Sequence, residues 1–156
     1  MSVLIQGSQL RALLLGVRVE QPAKTVPQNA LSSLFTISGG RILLTGLYGE
    51  VTTVIGGTTP NAKLVYSPTS GTDTDLCTAT AITSDAVNSQ YSLPAAVGSA
   101  LNVSSQVGQV VAQGGTGHVL NAGTVDVHVS AADATGAIKW SLTYIPLDDG
   151  ASVAAA

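Results

Sequence analysis

Between Gly123 and Leu147 apolar and polar residues alternate twice over. Val125, Val127 and Val129 alternate with Asp126, His128 and Ser130, and Ile138, Trp140, Leu142 and Tyr144 alternate with Lys139, Ser141 and Thr143. A strand points successive side chains to opposite faces, so each half has one apolar and one polar face. Ala131 to Gly136 is turn chemistry, with Asp133 to open a turn and Gly136 able to take positive φ. The pattern predicts a hairpin of two long strands that carries the single tryptophan.

The same reading extends upstream. Ser33–Ile37 is a strand ended by Gly39-Gly40, a hairpin-type turn signal. Arg41–Ile55 is a long β-rich stretch in which Gly46 and Gly49 suggest a bulge or a bend. Ala62–Tyr66 and Leu76–Ile82 are shorter strands separated by the polar loop Ser67–Asp75, and Ser84–Ser89 is a turn. Tyr91–Val111 shows short apolar patches split by Pro94, Gly98 and Gly108, which read as edge-like strands. Gln113–Gly117 is a Gly-rich turn, and Pro146 stops the last strand. Many short strands with turns every 8–12 residues or so predict an all-β chain, a single antiparallel β-sandwich or barrel-like domain. The apolar faces nominate Phe35, Ile37, Leu43, Leu64, Val127, Trp140, Leu142 and Tyr144 for the core.

The ends read differently. Val3-Leu4-Ile5 and Leu13–Val19 suit strands added to a sheet edge, and Gln9–Leu15 also suits one or two helical turns. Glu20–Asn29 holds Pro22 and Pro27, which remove backbone donors and extend the residues before them. Two arrangements fit: an extended N-terminal arm that reaches a neighbour, or an ordinary first strand of the sheet. The arm gives a division into residues 1–30, a β-domain over 31–147 and a short flexible tail over 148–156. It nominates Val3, Leu4, Ile5, Leu13, Leu14 and Leu15 for inter-subunit contacts.

Charge sharpens this picture. Only 10% of the residues are Asp, Glu, Lys or Arg, against about 25% in typical soluble domains. Either Ser, Thr, Gly and Ala cover a polar secreted domain, or much of the surface faces other protein, as in charge-depleted interface cores. Net charge is −3 and the six basic residues are scattered, so no footprint for nucleic acid is visible. The single Cys77 excludes an internal disulfide and a cysteine-built zinc site. No apolar run reaches the ~18 residues of a membrane span. Residues 1–17 lack the basic lead of a signal peptide, so synthesis in the cytoplasm is expected.

Candidate chemistry is sparse. Asp126 and His128 share a strand face about 7 Å apart, but a metal or acid–base site needs a third group, and His118 is the nearest candidate. Asp73-Thr-Asp75 has half the look of a calcium loop without its bidentate Glu. Gly114–Gly117 lacks the Lys-Ser/Thr pair of a phosphate loop. Trp140 and Tyr144, if exposed, suit stacking on sugars, but the scarcity of aromatics favours a place in the core. No active site assembles, so neither an enzyme nor a cofactor is expected.

Leu34–Gly40, Leu43–Ile55, Ala62–Val65, Thr74–Cys77, Ile82–Ala86 and Ile138–Asp148 follow one another in a recognisable order. With them the chain resembles small proteins encoded among the head genes of tailed bacteriophages. Trp140-x-Leu142-x-Tyr144-x-Pro146-Leu147 is the most specific piece. The resemblance implies a virion component, a capsid decoration or cement protein. Such a protein binds the major capsid protein on the outer shell, often as a homotrimer, and ties capsomers together without nucleic acid or membrane. The alternatives are a minor tail or head–tail junction protein and, from another class, a glycan-binding β-sandwich module.

Overall fold

The structure is a computed structural model that describes residues 6–104 and 117–156, the side chain of Arg11 excepted. A short helix, α1 (Gly7–Leu15), precedes thirteen strands among the described residues. These are β1 (Val17–Glu20), β2 (Lys24–Thr25), β3 (Ala30–Ser38), β4 (Ile42–Gly56), β5 (Asn61–Pro68), β6 (Thr74–Asp75) and β7 (Thr80–Ala81), then β8 (Gln90–Ser92), β9 (Asn102–Ser104), β10 (His118–Leu120), β11 (Gly123–Val129), β12 (Thr135–Pro146) and β13 (Ser152–Ala155).

They form two antiparallel sheets packed face to face. The first runs β1-β12-β4-β8-β9, with β10 also beside β4 and β2 beside β12; the second runs β13-β3-β11-β5-β6, with β7 beside β5. Phe35, Ile37, Leu64, Val125 and Val127 from the second sheet meet Leu44, Leu47, Val51, Trp140, Leu142 and Tyr144 from the first in one core. The predicted all-β sandwich is therefore the fold.

The predicted pairing of the last two long strands is corrected. β11 lies between β3 and β5, whereas β12 lies between β4 and β1. Residues 130–134 thus form an arch from one sheet to the other. Alternation shows which face of a strand is apolar, and a hairpin and an arch share that pattern. Gly39-Gly40 is likewise a corner between sheets, since β3 and β4 are in different sheets. Both glycines have positive φ, 76° and 146°, and a Cβ on Gly39 would lie 2.2 Å from the Gly150 carbonyl oxygen.

The β4–β12 ladder runs almost the full length of both strands. A bulge on β4 falls between the pairs Thr143–Gly46 and Tyr144–Leu44, leaving Thr45 without an opposite number. This bulge corrects one core assignment. Counted back by twos from the buried Leu47, Leu43 would face inward. The extra residue reverses the phase, so Ile42 and Leu44 are buried and Leu43 is half-exposed. The other seven nominated core residues are buried.

At the centre, Gly49 of β4 pairs with Trp140 of β12 on one side and with Tyr91 of β8 on the other. A Cβ on Gly49 would lie 2.8–2.9 Å from three atoms of the Trp140 ring. The indole therefore lies over the glycine, and the Tyr91 ring sits 6.2 Å from it, centroid to centroid, tilted by 35°. Gly49 is thus the floor for the largest aromatic cluster and not a bend. The Tyr91 hydroxyl donates to Asp85 Oδ2 at 2.7 Å, deep in the fold. Burial raises the Asp85 carboxyl above its ordinary range, and the Tyr91 hydrogen bond offsets part of the rise.

Both ends also depart from expectation. Residues 17–29 follow β12 closely: β1 and β2 pair with it, the Gln21 N–H donates to the Trp140 carbonyl and the Val26 N–H to that of Gly136. Val26 is buried. The prolines extend this segment without detaching it, so an edge strand occupies most of the expected arm. The expected flexible tail is strand β13, paired with β3 through Ser152–Ser38 to Ala155–Phe35. Gln21 Nε2 donates to the Ala156 carbonyl (2.8 Å), fastening the first strand to the last residue.

Two outcomes follow. Gly49→Ala forces a methyl into the Trp140 ring and is expected to cost about 1–3 kcal/mol, read as a lower urea midpoint with an unchanged slope. Tyr91→Phe leaves the Asp85 carboxylate without its donor, an expected cost of about 1–3 kcal/mol. A carboxyl whose folded pKa is raised loses stability as pH climbs from its unfolded value through its folded one. The variant's deficit should accordingly be larger at pH 7 than at pH 4 in parallel denaturation curves.

Candidate functional site

The outer face of the β12–β4 sheet holds two adjoining surfaces, one apolar and one polar. The apolar one begins with α1. None of its described side chains is buried, and Leu10, Leu13, Leu14 and Leu15 are 50%, 74%, 70% and 41% exposed. Its last turn is held on the sheet: Thr45 Oγ1 donates to the Leu15 carbonyl (2.5 Å), and the Gly16 N–H to that of Ala12. Gly16 has φ 85°, and a Cβ there would overlap the Tyr144 carbonyl oxygen at 2.0 Å. Only glycine lets the chain leave the helix this close to β12. Beyond it the row Ile145–Leu43–Val119 crosses three strands. Val119 and Ile145 are 60% and 36% exposed, and Leu147 lies nearby at 46%.

A nine-residue helix is too short to persist alone in water, and here Leu13 and Leu14 stay 74% and 70% exposed. Of the residues nominated for inter-subunit contacts, Leu13, Leu14 and Leu15 sit on this helix. Val3, Leu4 and Ile5 lie outside the described residues, as do residues 105–116 with most of the glycine-rich turn. The outward Leu43 was missed because the bulge at Thr45 hides its phase; Ile145 follows the inward Tyr144 by plain alternation.

The polar surface is a groove of about 430 Å³ beside the helix. Lys139, Glu50 and Gln90 form one cross-strand row, and Glu20, Ser141, Tyr48 and Ser92 form the next, with Arg18 and Thr143 beyond. Glu20 Oε1 accepts from Arg18 Nη2 and lies 3.4 Å from Lys139 Nζ.

The other candidates are occupied structurally. Asp126 is buried, and its Oδ2 accepts from Ser67 Oγ (2.8 Å) and Thr124 Oγ1 (3.0 Å). His118 belongs to the other sheet, on β10. Asp75 pairs with Lys63 at 2.8 Å. Cys77 is buried, which pushes its thiol up to about 11, and its Sγ accepts the Leu64 N–H. Among the described residues no three His, Cys, Asp or Glu side chains gather at metal-holding distance, and no helix is long and apolar enough to cross a membrane. Trp140 and Tyr144 are 1% and 6% exposed, so neither can stack on a sugar.

No family profile, curated protein or solved structure matches the chain.

Thr45→Val removes the hydroxyl that holds the end of α1. Amide exchange at Gly16 should accelerate several-fold, while global stability falls by no more than about 1.5 kcal/mol. Hydrogen exchange followed by NMR, beside a denaturation curve, checks both.

Proposed function

We propose that the protein is a structural component of a phage particle, a decoration protein that binds the outer capsid shell through α1 and the apolar row beside it. The observation that carries this reading is the helix whose leucines, among the described residues, stay 41–74% exposed. Each leucine buried at a contact would contribute about 1.5–3 kcal/mol. The sparse charge supports the reading, since a surface poor in Lys, Glu and Asp suits contact with protein. So does the resemblance to phage head proteins, whose most specific stretch, Trp140 to Leu147, lies mostly in β12, beside the central strand β4.

The function is binding alone, with the sandwich as a rigid base and α1 as the contact element. Sister copies gathered around a symmetry axis of the shell would cover the remaining apolar surface, and a homotrimer suits a threefold position.

A Leu13→Ser, Leu14→Ser double variant tests this. Both side chains are exposed, so the β-domain should keep its circular dichroism and its unfolding midpoint. Co-sedimentation with shells assembled from the major capsid protein should weaken by at least about tenfold, the equivalent of roughly 1.4 kcal/mol. Binding at full strength would remove α1 as the contact element.

A further inference from the structure

The polar groove on the outer face of the β12–β4 sheet has the makings of a ligand site, apart from any shell contact. In a chain with only 10% charged residues, it collects both glutamates, Glu20 and Glu50, with Arg18 and Lys139. Its volume of about 430 Å³ falls within the roughly 300–1,000 Å³ typical of small-molecule sites.

The floor is an aromatic ring laid along the sheet. A Cβ on Gly46 would meet Tyr48 Cε2 at 2.9 Å and Oη at 3.2 Å. The Tyr48 ring therefore leans over the glycine, in space that any other residue at position 46 would fill. Burial raises the Tyr48 pKa above its ordinary value. One wall carries Glu50 and Gln90 as direct register partners, both exposed. Glu50 makes no ion pair among the described residues. The opposite wall carries Arg18, Glu20 and Lys139, already joined through the Glu20 carboxylate.

This chemistry selects among ligands. Two cations facing two carboxylates leave no net charge, and Glu20 lies against both cations, which disfavours a phosphate or another anion. Strand addition by a peptide needs a free backbone edge; β12, β4 and β8 beneath the groove are each paired on both sides, and only β1 at its rim is an edge strand. What remains is a neutral ligand with a flat apolar face and many hydroxyls. We infer that the groove binds a neutral saccharide, one sugar ring lying on Tyr48 with its hydroxyls bonded to Glu50, Gln90 and the Arg18–Glu20–Lys139 wall. Carboxylates and amides accept and donate to neighbouring sugar hydroxyls in pairs, and charged partners strengthen each bond. The inference does not rest on the shell-binding reading.

The full chain would be titrated by calorimetry with maltotetraose, cellotetraose, chitotetraose and a β-1,4-galactotetraose, and with a heparin tetrasaccharide as the anionic comparison. At least one neutral saccharide should saturate with a Kd of about 1 mM or tighter. Y48A and E50Q should each weaken that binding, Y48A by at least about tenfold. K63A, on the other sheet, should leave it unchanged. All three substitutions are at surface positions, and circular dichroism confirms that each variant is folded. Shell co-sedimentation by Y48A should match the parent, which separates this site from α1. The inference is overturned if no neutral saccharide saturates, if binding survives both groove substitutions in folded protein, or if the heparin fragment binds more tightly.

Discussion

The packing of Trp140 on Gly49 is the constraint on which the rest of the sandwich depends. The chain has one tryptophan and one phenylalanine, so a thin core of valine and leucine needs its few rings well placed. Glycine at 49 lets the indole of β12 lie on the backbone of β4, and Tyr91 on β8 closes in from the other side. Three strands are thus aligned by one contact. A glycine normally weakens a strand interior, because it has no side chain to pack. Here the neighbouring strand supplies the missing side-chain volume.

The fold class was legible because alternation is a local property. Val125, Val127 and Val129 face the core, and so do Ile138, Trp140, Leu142 and Tyr144. Partner choice was not legible, because it is set across the sandwich. Two amphipathic strands joined by a short turn can pair side by side or face each other from opposite sheets, and in both cases the apolar sides meet the core. Two further features distinguish them. β12 is twelve residues long and β11 only seven, and each already has two neighbours from elsewhere in the chain.

The terminal segments illustrate a second limit. Pro22, Pro27 and the alanine-rich end look like linker and tail by composition. Composition carries no information about backbone hydrogen bonds, and these segments are held by their backbones. The N–H groups of Gln21 and Val26 reach β12 carbonyls, and β13 pairs with β3 through its main chain and buries Val153 in the core. Gln21 then joins the two ends through the Ala156 carbonyl. The sheet edges at β1 and β13 are fastened to each other across the sandwich, which limits their use as templates for unintended pairing.

The extra residue at Thr45 connects this scaffold to its apolar candidate surface. By reversing the phase of β4, it turns Leu43 outward to meet Ile145 and Val119, which creates the apolar row. It places the Thr45 hydroxyl against the last carbonyl of α1, which holds the leucine helix at the end of that row. Gly46, next to the inward Leu47, faces outward in register with Thr143, and the Tyr48 ring lies over it. A strand without the bulge would bury Leu43 and leave the helix unfastened. The bulge costs the ladder some regularity near one end. Bulges collect where a sheet must re-aim side chains, and this one re-aims Leu43 toward the apolar row beside α1.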